Sequence, residues 1–324
     1  MNSRERFLEA MHFGHPDHVP YFEEGLRPDV LEAWRRQGLD SPASLAGKFA
    51  TDEREEIDLD VDPHPWPKRW PIRATELKAF RRRLDPADAS RLPEDWAACL
   101  PGWKNRRQVL MLRVHRGFFL SMGVENWRRF LDVMSLTYDD PGFVREAMWV
   151  QGEFAAALVE RALQEVEVDA AIFSEPIGGN NGALISPRMY ADLVLASYRP
   201  LLDVLRRHGV DVLILRTYAN ARALLPAVLR EGLNCLWACE TNASAMDYRS
   251  IRREFGPELR LIGGIDLDML RDGKEAIRRE VEEKVPPLLE QGGYVPLADG
   301  RVRADIPLDN YIFYRQLLEK VTNR

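Results

Sequence analysis

Charged residues end several short apolar segments in the second half of the chain. The segments are residues 170–175, 210–216, 234–240, 261–266 and 292–301, which end at Glu175, Arg216, Glu240, Asp266 and Arg301, with Asp299 just before the last of these. Each segment is too short for most helices and is largely apolar, as parallel strands buried on both faces are. Ligands of parallel α/β folds bind beyond the carboxyl ends of the strands, so we expect these charged side chains to meet in one site.

Arg216 has the clearest chemical implication among these residues. It follows an unbroken apolar run, and its guanidinium is always protonated and offers a planar fork that matches a carboxylate or a phosphate. The alternative is an internal salt bridge with Glu175, Glu240 or Asp266. Tyr218, two positions later, either donates a phenolic proton or packs in the following loop.

Glu175 and Asp266 are the candidate groups for acid–base chemistry. Glu175 precedes a loop, residues 176–182, that is rich in glycine and asparagine and includes Asn181. Such backbone lets a ligand approach closely and exposes N–H donors, but the loop matches neither the P-loop nor the dinucleotide-binding pattern. Asp266 either takes part in chemistry or caps the helix that follows it. His115 is a further candidate for proton transfer.

The composition indicates a globular enzyme. The 324 residues are 45% hydrophobic and 30% charged, and the net charge of −6 gives no support to nucleic-acid binding. The N-terminus has no apolar signal sequence, and no run approaches the roughly 20 apolar residues of a membrane span. Three cysteines are too few for a disulfide framework, so a cytoplasmic location is predicted.

The order of elements predicts an α/β fold, a (β/α)8 TIM barrel with an N-terminal helical extension. The predicted strands are residues 18–22, 58–61, 108–113, 168–174, 210–215, 234–239, 260–265 and 293–298. The predicted helices are residues 4–11, 28–36, 124–135, 140–166, 187–208, 220–231, 246–255, 273–290 and 307–322. Residues 40–106 are interpreted as a long insertion after the first βα unit that folds as a cap. We predict a single domain over residues 1–324, since no flexible linker interrupts the chain.

No metal site is predicted from the cysteines and histidines. Cys235 and Cys239 are spaced too widely for a Cys-x2-Cys hook, and burial as small apolar side chains explains them. His12, His15 and His18 lie in a segment whose composition is typical of a turn.

Several motifs resemble proteins of the uroporphyrinogen decarboxylase superfamily. They are Ser3-Arg-Glu-Arg-Phe-Leu-Glu-Ala-Met11, His15-Pro-Asp-His-Val-Pro20, Asn181-Gly-Ala-Leu-Ile-Ser-Pro187, Leu261-Ile-Gly-Gly-Ile-Asp266, Gly292-Gly-Tyr-Val-Pro296 and Asp305-Ile-Pro-Leu-Asp-Asn-Tyr311. They follow the order of the family and span nearly the whole chain. The resemblance implies a TIM barrel, in agreement with the order of elements, and a homodimer.

The resemblance implies one of two chemistries. The decarboxylases remove acetate carboxyls from a tetrapyrrole without a cofactor and hold the carboxylates with arginines, whereas the corrinoid-dependent methyltransferases use a zinc held by a His-x-Cys pair and a later Cys. Only Arg27 remains here of the decarboxylase Arg-Gln-Ala-Gly-Arg-Tyr stretch, and Arg216-Thr-Tyr218 stands where the methyltransferases have His-x-Cys. The resemblance therefore implies a divergent branch without the zinc ligands.

The sequence favours an enzyme, free of metal and cofactor, that acts on an anionic carboxylate-bearing small molecule such as a tetrapyrrole, with decarboxylation as the first hypothesis. The alternatives are a zinc-free methyl or alkyl transferase that works with a corrinoid protein, and a barrel that only binds a ligand. The predicted catalytic residues are Glu175, Asp266 and Tyr218, and the predicted substrate-binding residues are Arg216, Arg301, Arg27, Glu240, Asp299, Asn181 and His115.

Overall fold

The residues described by this computed structural model, 1–45, 47–241 and 244–323, contain nine strands and fourteen α-helices. The strands are β1 (Arg54–Asp58), β2 (Val109–His115), β3 (Ala170–Glu175), β4 (Gly178–Gly179), β5 (Gly182–Ala183), β6 (Leu213–Tyr218), β7 (Cys235–Cys239), β8 (Arg260–Ile265) and β9 (Tyr294–Ala298). The helices are α1 (Ser3–Met11), α2 (Pro28–Arg35), α3 (Ala74–Arg81), α4 (Trp96–Lys104), α5 (Phe118–Ser121), α6 (Trp127–Asp139), α7 (Pro141–Leu163), α8 (Pro187–Met189), α9 (Arg199–Arg207), α10 (Leu225–Glu231), α11 (Tyr248–Phe255), α12 (Leu267–Arg271), α13 (Lys274–Leu289) and α14 (Leu308–Thr322).

These elements belong to two structural units. The first unit comprises Met1–Arg54, Arg107–Val109 and Cys235–Arg324, and the second comprises Glu55–Arg106 and Leu110–Asn234. In the first unit, β7 pairs with β8 and β8 with β9, both in parallel, and α13 packs against α14. The prediction of one domain over the whole chain stays a prediction.

The second unit contains most of β1 and β2, together with β3 and β6, in the order β1-β2-β3-β6. Strand β3 pairs in parallel with both β2 and β6, and α7 packs against α9. Ser174 lies opposite Arg216 in the β3–β6 register, and Glu175 lies opposite Thr217. Parallel strands and helices confirm the α/β class, while the closure of eight strands into a barrel stays a prediction.

The strand predicted at residues 18–22 is wrong, because these residues take part in no β-ladder. Pro20 has no N–H group to give to a neighbouring strand. The N–H of Tyr21 donates instead to Oδ2 of Asp52 at 2.9 Å. The predicted strand at 58–61 is also displaced, because β1 lies a few residues earlier in the chain.

Residues 40–106 contain helices α3 and α4 besides part of β1. The interpretation of this segment as a cap stays a prediction.

The helix predicted over residues 187–208 is interrupted. Between α8 and α9 the chain forms a π-helical turn, Tyr190–Val194, and a 3-10 turn, Leu195–Tyr198. A proline in the first turn of α9 has no N–H with which to continue the helical ladder. The carbonyl of Ser197 also approaches Gly152 of α7 so closely that a Cβ at this glycine would lie 1.9 Å from it. The backbone of the interrupted segment therefore packs closely against α7 at Gly152.

No helix within the described ranges is long and apolar enough to cross a membrane.

Candidate functional site

Arg216 lies at the centre of a cluster of two arginines and two carboxylates in the second unit. Its Nη1 and Nη2 donate to the two carboxylate oxygens of Glu56 at 2.8 and 2.5 Å. Arg113 of β2 donates to the same carboxylate at 3.1 Å and pairs with Asp58 at 3.0 Å. Only 5% of Arg216 is exposed. Two guanidinium groups therefore share one carboxylate of the protein itself, so Arg216 forms an internal salt bridge, the alternative considered for it, with Glu56 as the partner.

Glu56 is not among the partners expected for Arg216 from the sequence, which were Glu175, Glu240 and Asp266. The feature of the sequence that points to Glu56 is the spacing of charged residues in β1, where Arg54, Glu56 and Asp58 lie two positions apart. Side chains two positions apart lie on the same face of a strand. A polar face of β1 was therefore readable from the sequence, although not which arginine it would meet.

Glu175 lies away from Arg216, on the other face of the strands. Arg216 stands opposite Ser174 in the register, so Glu175, one position further, points the opposite way. It is completely buried, and its carboxylate accepts hydrogen bonds from the hydroxyl groups of Tyr198 at 2.6 Å and Tyr190 at 3.3 Å. Burial raises the pKa of Glu175 to about 7, although these hydrogen bonds lower it. The geometry is that of a buried structural carboxylate, and a catalytic role stays a prediction.

His115 is buried in the same region, with 3% of its surface exposed. Its Nδ1 accepts a hydrogen bond from the N–H of Gly117 at 2.9 Å, and its ring lies 4.5 Å from that of Tyr198. Burial lowers the pKa of His115 to about 3, so the ring is neutral at physiological pH. The structure therefore places His115 with Glu175 rather than with Arg216, and as a neutral group.

Gly117 must remain glycine for this buried cluster to form. Its φ is +89°, and an added Cβ would lie 2.6 Å from the carbonyl oxygen of Ser174 and 2.8 Å from Oε1 of Glu175. We expect Gly117→Ala to lower the free energy of unfolding by well over about 1 kcal/mol, measured by urea denaturation. The matched control is Gly38→Ala, which has a φ of +95° but no atom within 4 Å of the added Cβ. Equal losses in both variants would contradict the close packing around Gly117.

The loop after Glu175 forms a small hairpin instead of an open phosphate cradle. Gly178 pairs with Ala183 and Gly179 with Gly182, in antiparallel orientation, and the carbonyl of Gly179 accepts a hydrogen bond from Asn220 at 3.1 Å. The loop therefore pairs with itself and with Asn220.

Asn181 is exposed at the tip of this hairpin. Tyr218 is 37% exposed at the end of β6. It lies two positions after Arg216 and therefore on the same strand face. Its carbonyl would lie 2.0 Å from a Cβ at Gly178, so the hairpin packs closely on the end of β6.

The first unit brings together Glu240, Asp266 and Asp299 around a small cavity of about 100 Å³, also lined by Thr241, Leu267, Asp268 and Arg303. Asp299 accepts hydrogen bonds from the backbone N–H of Thr241 at 2.8 Å and from its hydroxyl group at 2.5 Å. Burial raises the pKa of Asp299 above its ordinary value, and the hydrogen bonds from Thr241 oppose this shift. Asp266 caps α12, because its carboxylate accepts from the N–H of Asp268 at 2.9 Å. The capping alternative for Asp266 is therefore the one observed.

Arg27 belongs to this second group of residues, since it forms an ion pair with Glu240 at 2.9 Å. Glu240 has a φ of +45°, which is unusual for a residue other than glycine and is often found at functional sites. Arg301 is exposed just after β9 and is not among the described residues that line the cavity.

The family follows from a comparison with known protein families. The sequence model of the family described as Uroporphyrinogen decarboxylase (URO-D) matches residues 121–311 of the chain. The chain belongs to the uroporphyrinogen decarboxylase family. The resemblance seen in the sequence motifs is thereby confirmed, and the members of this family are enzymes.

Among solved structures, the chain is similar to a methyltransferase from Methanosarcina mazei, with 16% sequence identity, a TM-score of 0.63 and 99% of each chain covered. At this identity the similarity concerns the fold alone. A comparison with curated protein sequences gives no match.

Within this uroporphyrinogen decarboxylase fold, the predicted site residues occupy two places. Glu175, His115, Asn181, Arg216 and Tyr218 lie in the second unit, and Arg27, Glu240, Asp266, Asp299 and Arg301 lie in the first. Glu175 and His115 lie on the strand face opposite that of Arg216, so the expectation that they share a site with Arg216 is corrected, and convergence of the other residues on one site stays a prediction. Among the described residues, no three His, Cys, Asp or Glu side chains are arranged to hold a metal ion.

Proposed function

We propose that this member of the uroporphyrinogen decarboxylase family is a metal-independent enzyme that acts on a carboxylate-bearing substrate within a closed (β/α)8 barrel, and that its reaction is a decarboxylation. The observation that carries the proposal is the pair of guanidinium groups, Arg216 and Arg113, on the carboxylate of Glu56. A site that binds one carboxylate through a fork can bind another of the same shape. Glu56 would occupy this place until a substrate carboxylate replaces it.

The reaction follows from the residues on this face of β6. Arg216 would orient the substrate so that its C–C bond to the departing carboxylate can break. Carbon dioxide leaves, and the electron pair of the broken bond stays on the substrate carbon. A proton then has to be supplied to this carbon. The hydroxyl group of Tyr218 is the candidate donor, because it lies on the same strand face as Arg216 and is exposed. Water reprotonates the phenolate.

Asp266 and Glu175 are weaker candidates as proton donors. Asp266 uses its carboxylate to cap α12. Glu175 is completely buried and bound by two tyrosines. In the proposed mechanism both residues support the structure, as does the buried His115, while Arg27, Arg301, Glu240, Asp299 and Asn181 remain proposed contacts of the substrate or of its surrounding loops.

A methyl or alkyl transfer with a corrinoid partner protein is the second candidate. It is favoured by the structural similarity to a protein named as a methyltransferase. A third candidate is a barrel that binds an anionic ligand without catalysis.

The proposal predicts carbon dioxide release by the chelator-treated protein when it is incubated with uroporphyrinogen or a smaller carboxylated pyrrole. Arg216→Lys should lower kcat/KM by the equivalent of about 2–5 kcal/mol, because an ammonium group cannot reproduce the fork.

Tyr218→Phe should lower kcat more than it changes KM, since it removes a proton needed only in the chemical step. The release is measured with substrate labelled in the carboxyl carbon.

The matched control is Arg188→Lys, a substitution of a side chain that is 93% exposed on α8. It should leave the rate unchanged. Methyl transfer from a methylated corrinoid to a thiol, without carbon dioxide release, would favour the second candidate. Saturable binding of these carboxylates with neither reaction would favour the third.

A further inference from the structure

A cavity of about 660 Å³ lies within the second unit, between the segment that follows β1 and helix α6. Its walls come from residues 66–72 on one side, and from Gly123 and residues between 125 and 139 on the other. This volume falls within the range of about 300–1,000 Å³ that is typical of small-molecule sites. Among the described residues that line it, none belongs to the Arg216–Glu56 cluster, so the cavity is separate from that cluster.

Two tryptophans form an aromatic wall of this cavity. The indole rings of Trp66 and Trp70 are 5.5 Å apart and meet edge to face at 78°. Trp70 is buried and packs on Gly123, where an added Cβ would lie 2.1 Å from the indole ring. Trp66 keeps 43% of its surface exposed. The wall therefore consists of one ring held by packing and one ring open to a ligand, and an open aromatic ring binds planar groups by stacking.

Arg129 places a half-buried cation in the opposite wall. Its guanidinium donates to the carbonyl of Met122 at 3.0 and 2.8 Å and to that of Pro71 at 3.3 Å. Within the described part of the chain, no carboxylate forms an ion pair with it. Burial lowers the pKa of Arg129, and Asp132 opposes this shift from one turn further along α6. A partly buried cation that has only carbonyl partners favours an anionic ligand, because the anion would offset the cost of burying the charge.

Lys68 and Arg69 add two exposed cations to the lining. Arg69 is close enough to Arg129 to contribute to the lowering of its pKa. Helix α6 also begins at the cavity, where Asn126 caps it, and the N–H groups of a helix N-terminus favour an anion. Three cations around one cavity suit the double charge of a phosphate better than the single charge of a carboxylate.

The carboxylates of the cavity confine such an anion to one end. Asp132 and Asp139 lie three and ten positions after Arg129, which is about 4.5 and 15 Å further along the helix. Both would repel a phosphate placed along the C-terminal half of α6. Glu125 is exposed before α6 and interacts with the charge of Arg116. The favourable place for a phosphate is therefore the N-terminal end of α6, near Arg129.

We propose that this cavity binds a nucleoside monophosphate or a molecule of the same chemistry, an aromatic heterocycle that carries a phosphate group. The ring stacks on Trp66. The phosphate lies at the N-terminal end of α6 with Arg129 and Arg69, and Lys68 adds a third positive charge. The site does not depend on the proposed decarboxylation, because it uses none of the residues of that reaction.

Isothermal titration calorimetry of the full chain with AMP tests this site. AMP should bind at least about tenfold more tightly than adenosine, which lacks the phosphate, and than ribose phosphate, which lacks the ring. Trp66→Ala should weaken AMP binding by at least about tenfold, because it removes the stacking surface. The matched control is Trp149→Ala, since Trp149 is 40% exposed on α7 and does not line the cavity. This control should bind AMP like the wild type, and circular dichroism checks that each variant keeps its melting temperature.

Two arginine variants test where the phosphate lies. Arg69→Gln should weaken the binding of AMP and leave that of adenosine unchanged, whereas Arg216→Lys should leave AMP binding unchanged, because Arg216 does not line the cavity. The absence of AMP binding at millimolar concentrations, or equal weakening by Trp66→Ala and Trp149→Ala, would overturn the site. AMP binding that is lost in Arg216→Lys would place the nucleotide in the Arg216–Glu56 cluster instead. Naphthoate that binds as tightly as AMP would overturn the assignment to a phosphate.

Discussion

Arg216→Ala is expected to lower the free energy of unfolding by about 3 kcal/mol in the absence of any ligand. Removing one member of a largely buried ion pair leaves the other charge without its main partner, which typically costs about 3–5 kcal/mol. The lower end applies because Arg113 still donates to Glu56 at 3.1 Å. Urea denaturation measures the loss. The substitution also removes the fork on which the proposed reaction depends, so activity should fall together with stability.

A double-mutant cycle with Glu56→Ala separates the contribution of the Arg216–Glu56 ion pair to the free energy of unfolding from the other effects of each substitution. If the ion pair accounts for the loss, the double variant should be less destabilised than the sum of the two single variants, with a coupling energy of about 1–3 kcal/mol. Arg188→Ala, at a mostly exposed arginine, serves as the control and should change little. An unchanged free energy of unfolding in Arg216→Ala would contradict the contact with Glu56. A large loss with unchanged binding of carboxylates would remove Arg216 from the functional site.

The strands after residue 168 could be predicted because their signal is local. Each is a short apolar run bounded by glycine or by a charged residue, and β8 and β9 lie almost where the sequence placed them. Strand β1 gave no such signal, because four of its five residues, Arg54, Glu55, Glu56 and Asp58, are charged. Alternation of apolar and polar residues is the main guide to a half-buried strand, and β1 lacks it because Glu55, on the face opposite that of Arg54, Glu56 and Asp58, is charged as well.

The partners of the candidate site residues could not be predicted for a different reason. Whether Glu175 meets Arg216 depends on the register of β3 against β6, and a shift of one residue reverses the face of every side chain. The sequence identifies a carboxylate and a guanidinium at neighbouring strand ends. It does not fix the register, which depends on packing across the whole strand pair.

Glu175→Gln is expected to remove a pH dependence of stability that the wild type shows. Burial raises the pKa of Glu175 from its ordinary value of 4.5 to about 7, so the fold favours the protonated form. The stability that this group contributes is fully present below pH 4.5 and is lost as the pH rises to about 7. Since each pKa unit corresponds to about 1.4 kcal/mol, the loss is about 3 kcal/mol. Glutamine stays neutral throughout, and its amide can still bond the hydroxyl groups of Tyr190 and Tyr198.

Urea denaturation at a series of pH values between 4 and 8 compares the two proteins. Because other groups also titrate, the informative quantity is the difference between Glu175→Gln and the wild type, which should grow in favour of the variant as the pH rises. The control is Glu125→Gln, at an exposed glutamate. The difference in free energy of unfolding between this variant and the wild type should not change with pH. Parallel profiles for Glu175→Gln and the wild type would mean that Glu175 ionises without cost in the folded protein. The carboxylate would then have to be reachable by solvent, and Glu175 would replace Tyr218 as the leading candidate for proton transfer.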